Sequence, residues 1–138
     1  MGAWGAHAFE NDTASDWLLD AFEQNLVNAV KLALNVVADA PATEYLEVDI
    51  GVVGLAAAEV VAIAFGRARE GYTDPERLGH IARYAEEIRS TPDIRSLALA
   101  SITRIEGPNS ELAELWNEGS STRVDWSNEN ADLRSRLS

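Results

Sequence analysis

Apolar residues recur at Ala14, Trp17, Leu18, Ala21, Phe22, Leu26, Ala29, Val30, Ala33, Leu34 and Val37, with polar residues between them. Steps of three and four place these side chains on one face of a helix. The stripe stays in phase past Asn25, so one long helix is open; the polar pair Gln24-Asn25 argues instead for a break into two. Asn11 or Asp12 caps the first helix, because its short side chain brings an oxygen to a free N–H of the first turn. Asp39-Ala40-Pro41 closes the second, since proline disfavours helix in the residue before it.

Residues 44–67, EYLEVDIGVVGLAAAEVVAIAFGR, are apolar nearly all round after Asp49, apart from Glu59. A helix of that kind belongs at the centre of a bundle. Gly51, Gly54 and Ala56 to Ala58 let neighbouring helices approach. The valines also allow a strand start over 48–53, but the apolar run is too long for an ordinary strand. Gly66 is the stop. Asp74 and Pro75 then supply a cap and a first helical residue whose missing N–H costs nothing. Leu78, Ile81, Ala82, Ala85 and Ile88 form the buried stripe that follows. Thr91 and Pro92 repeat this grammar ahead of Ile94, Leu97, Ala98, Ile102 and Ile105, and Gly107-Pro108 ends that helix. A short helix capped by Asn109 or Ser110 buries Leu112, Leu115 and Trp116. After a polar loop, a last helix over 125–137 buries Trp126, Leu133 and Leu137. The expected fold is a single all-α domain over 1–138, a compact bundle of six or seven helices with an ordered, non-helical N-terminal arm.

Charge changes the picture more than size does. The 138 residues carry 23 acids against 11 bases, a net charge of -12. Residues 1–66 hold ten acids and one base, Lys31, or -9; residues 67–138 hold thirteen acids and ten arginines, or -3. Such a chain does not suit a nucleic-acid backbone, which needs a basic face. It suits a basic protein. With no cysteine, disulfide and thiolate chemistry are excluded. The N-terminus lacks the basic and apolar regions of a secretion signal. The longest apolar run, 50–65, is short for a membrane span and contains Glu59. A cytoplasmic protein with no membrane contact and no cofactor is expected.

The opening cluster holds Trp4, Phe9, Asn11 and Trp17. Two readings stand. In one, Trp4 and Phe9 fold back as anchors, burying about 150–250 Å² each, with Trp17 also buried and Asn11 capping the helix. In the other, Trp4, His7 and Phe9 line a pocket at a helix N-terminus, where free N–H groups favour an anion. Trp4-Gly5, Phe9-Glu10-Asn11-Asp12 and Asp16-Trp17 together resemble the opening of a bacterial family, domain of unknown function 4259. The resemblance continues at Tyr45 to Glu47, Leu55 to Ala62, Asn109 to Trp116 and Asp132 to Leu137, so it covers essentially the whole chain. It implies a compact bacterial domain and carries no activity. His7 departs from the pattern, which has smaller residues there.

Two constellations bear on function. Asp12, Asp16, Asp20 and Glu23 share one face of the first helix, opposite its apolar stripe. Four carboxylates there are either a solvated face or a landing strip for a basic partner, where charge complementarity sets on-rate and specificity. Glu59, inside an apolar run, is buried and needs a partner. Arg83, Arg95 or Arg104 could supply it. Alternatively Glu59 joins Glu47 or Asp49 as an acid/base or metal pair, although no Glu-x-x-His accompanies it. His80 and Tyr84, four residues apart, are a weak third signal. There is no phosphate loop and no nucleophile motif. The leading expectation is a stoichiometric protein-binding module, an immunity- or antitoxin-like inhibitor of a basic partner. The alternatives are an enzyme or small-ligand protein using Glu59 and Glu47 in a bundle pocket, and a structural oligomer.

Overall fold

The computed structural model describes residues 7–138. Among them are seven helices: α1 (Asp12–Glu23), α2 (Leu26–Ala38), α3 (Val48–Ala64), α4 (Pro75–Ser90), α5 (Ile94–Glu106), α6 (Glu111–Asn117) and α7 (Ser120–Leu137). The only β pairing among the described residues is an isolated bridge between Leu46 and Ser110. No described helix is long and apolar enough to cross a membrane.

The long N-terminal stripe is two helices. Gln24 leaves helical geometry, and the Asn25 side chain restarts it by accepting a bond from the Asn28 N–H. Asn11, not Asp12, caps α1, its Oδ1 accepting from the Ala14 N–H at 2.7 Å. Asp74 caps α4 with Pro75 behind it, as the sequence implied. Elsewhere the grammar misleads. Thr91 ends α4, its hydroxyl donating to the Glu87 carbonyl. The residue ahead of α5 is Asp93, in the left-handed region at φ 59° and with no side-chain cap bond. Ser110, rather than Asn109, caps α6. Leu112 of that helix is buried, whereas Leu115 and Trp116 are only half-buried. The last helix starts at Ser120, so the expected polar loop is its first turn.

The α3 helix packs against all six others. Its residues from Leu55 to Ala62 are buried without a break, which explains why it is apolar all round. Small side chains set the spacing. A Cβ on Gly54 would sit 2.8 Å from Val37 Cγ2 and 3.1 Å from Ile105 Cδ1. Gly54→Ala is therefore expected to overpack the α2–α3–α5 junction and cost about 1–3 kcal/mol, read as a lower urea midpoint at unchanged slope. The helix ends at Gly66, which takes φ 76°. The Arg67 N–H bonds the Ala62 carbonyl and the Gly66 N–H bonds that of Ile63, both at 2.9 Å. This paired closure needs a residue tolerant of the left-handed region.

The loop before α3 is stitched to the turn before α6. The Leu46 N–H bonds the Asn109 carbonyl at 2.8 Å, and the Glu111 N–H bonds the Leu46 carbonyl at 2.9 Å. Arg104 holds the same loop through the carbonyls of Ala40, Pro41 and Glu44. These bonds fix the start of α3, and with it Asp49 and Ile50.

Candidate functional site

The described part of the N-terminal arm is a turn, closed by the Glu10 N–H on the His7 carbonyl at 2.9 Å. It folds His7 and Phe9 into the core. Phe9 meets the His7 ring edge-on at 5.5 Å and the Tyr72 ring at 5.8 Å, between ring centroids. The Arg77 guanidinium lies 5.8 Å from the Phe9 centroid. Phe9 is thus packed into the core. Trp4 lies outside the described residues. Trp17, in the middle of α1, is only half-buried, because it lines an open groove.

Glu59 is 1% exposed and fully engaged. Its partner is Arg136 of α7, not Arg83, Arg95 or Arg104. Both terminal nitrogens of Arg136 hold the carboxylate: Nη1 donates to Oε2 and Nη2 to Oε1, the latter at 2.8 Å. Nη1 also reaches the Arg67 carbonyl, and Nε bonds Asp132. Two of the other arginines are engaged elsewhere, Arg95 against the Phe65 ring at 4.9 Å from its centroid and Arg104 on the α2–α3 loop. His7 Nε2 lies 2.8 Å from Glu59 Oε1. The Phe9 N–H faces His7 Nδ1 at a long 3.5 Å. With Nδ1 facing that N–H, Nε2 is the nitrogen that donates to Glu59. Burial raises the Glu59 carboxyl, but the bonds from Arg136 and His7 outweigh it and hold the group below its usual range. Burial alone would also weaken the Arg136 cation, and the bonds to Glu59 and Asp132 raise it instead. The result is a forked ion pair joining the arm, the middle of α3 and the end of α7.

Glu47 and Asp49 do not share a site with Glu59. All three belong to one stretch of chain, Glu47 as the N-terminal cap position of α3 and Asp49 in its first turn. The helical rise sets them about 18 and 15 Å along the axis from Glu59. Both Glu59 oxygens are already bonded, so the buried centre is built as a clasp. Among the described residues, no group of three or more His, Asp or Glu side chains is placed to hold a metal ion. His80 stacks on Phe22 at 4.6 Å between ring centroids. The Tyr72 hydroxyl is buried without a hydrogen-bond partner among the described residues. Burial raises its pKa, and Arg77 nearby opposes that rise.

The acidic face is on the surface. Asp12, Asp16, Asp20 and Glu23 are all exposed on α1. Beside them runs a groove of about 700 Å³ between α1, α2 and the start of α3. Its apolar lining includes Trp17, Leu32, Val36 and Ile50, and Asp20 and Asp49 are its charged residues. No Lys, Arg or His lines it among the described residues. Leu32 is 67% exposed and Val36 44%. The sequence reading missed this groove, although a signal was there. Leu32 and Val36 are four residues apart and out of phase with the buried set Leu26, Val30, Leu34 and Val37.

No curated protein and no solved structure matches the chain in comparison. The model of one family, described as a domain of unknown function (DUF4259), matches residues 2–129. The chain belongs to the DUF4259 family.

Proposed function

We propose that the chain is a stoichiometric protein-binding module, an inhibitor of the immunity or antitoxin kind, which engages a basic partner through α1 and the groove beside it. One observation carries the reading: the exposed α1 carboxylates, through Asp20, meet an open apolar groove whose lining also holds Asp49 and no cation among the described residues. Apolar surface supplies contact area, and the carboxylates steer a basic partner and reject an acidic one.

Charge reversal tests it. Asp16, Asp20 and Glu23 are changed together to Lys; Asp12 is left alone because it opens α1. Each site is exposed, so stability is expected to move by about 0.5 kcal/mol or less per substitution. With a partner captured from the native host, association with the parent protein is expected to slow as salt rises, and the triple variant to associate at least about tenfold more slowly at low salt. An unchanged rate in a variant that melts like the parent removes α1 from the binding surface.

A further inference from the structure

We infer that the groove takes a basic amphipathic helix of the partner, about three turns long. This rests on the binding reading above and names the kind of segment bound. The α2 wall runs from Asn25 to Val36, about 16 Å at the helical rise. The groove walls are helices, whose backbone N–H and C=O groups are satisfied internally. The polar side chains of the lining, Asp20, Gln24, Asn25, Asn28 and Asp49, can meet only part of the backbone of an extended peptide laid there, and the rest would be buried unpaired. A helix arrives with its backbone already bonded and needs only an apolar stripe.

The surface of the groove fits such a stripe. Leu32 and Val36, one turn apart, line it from α2, Ile50 from α3 and the half-buried Trp17 from α1. Ala29 and Ala33 of α2 also line it, and their short side chains leave room for incoming ones. Asp20 and Asp49 place carboxylates on the α1 and α3 sides, so the helix would carry Lys or Arg beside its apolar anchors. Charge argues against a second copy of this chain as occupant. Each copy carries -12 and would bring its own α1 carboxylates toward the other's.

The test is selection of random peptides, about sixteen residues long to cover three turns with flanks, displayed against the immobilised full-length protein. Enriched sequences are expected to carry apolar residues at helical spacing flanked by Lys or Arg. A synthesised winner is expected to gain helical circular dichroism on binding and to lose about tenfold or more in affinity to Leu32→Ser/Val36→Ser. Both sites are exposed, so that variant keeps its fold. No enrichment over the serine variant overturns the inference, as do winners that are proline-rich, acidic or without helical period. Winners weakened by the α1 triple-lysine variant but not by the serine variant leave the binding reading standing and remove the helix. Sedimentation that shows a dimer of the parent, dissolved by the serine variant, makes a second copy the occupant and overturns it too.

Discussion

Replacing Glu59 or Arg136 alone with methionine is expected to cost about 3–5 kcal/mol, and replacing both to cost clearly less than the sum. Glu59 is 1% exposed and Arg136 shields it from the α7 side. Removing Arg136 strands the Glu59 charge in a low-polarity interior, and removing Glu59 leaves Arg136 with only the exposed Asp132 and the Arg67 carbonyl. Removing both restores an apolar contact, leaving His7 Nε2, the Arg67 carbonyl and the Asp132 side chain short of a partner. A double-mutant cycle by urea unfolding measures the coupling; additive losses would mean that the clasp is two independent contacts. The pH dependence follows from the lowered Glu59 carboxyl. A depressed carboxylate stabilises the fold above its unfolded value, 4.5, and loses that contribution as pH falls through its folded value. The parent's stability should therefore decline below about pH 4.5 more steeply than that of Glu59→Met, which lacks the titrating group.

Phe9→Ala is expected to cost about 3–5 kcal/mol, the range for emptying a buried aromatic site. Phe9 is 3% exposed and packs against the His7 and Tyr72 rings, which lose that contact when the ring is removed. Phe9→Leu keeps most of the volume and should cost markedly less. Thermal melting of both variants checks this. Equal melting of Phe9→Ala and the parent would show that the arm closes nothing.

Helices were legible where periodicity and caps agreed. Asn11 and Asp74 are side-chain caps followed by a clean apolar stripe, and both helices begin there. Gly66 was legible because the left-handed closure of α3 needs such a residue. Thr91-Pro92 misled because a threonine can bond backward to a carbonyl as readily as it caps forward, and here its hydroxyl goes to Glu87. That Glu59 is buried was readable from its apolar neighbours. That Arg136 pairs with it was not, since 77 residues separate them and the choice among ten arginines is made by how α7 crosses α3. The acidic row was visible from its spacing on one helix, whereas the groove needs three helices placed together before Leu32, Val36 and Ile50 become neighbours.

The most direct measurement is hydrogen exchange of the full chain, free and bound to its captured basic partner. The account predicts added protection in peptides covering 12–36 and 47–54, which carry α1, the groove wall of α2 and the start of α3. Protection confined to α4 or to α7, with residues 12–36 exchanging as in the free protein, would contradict it.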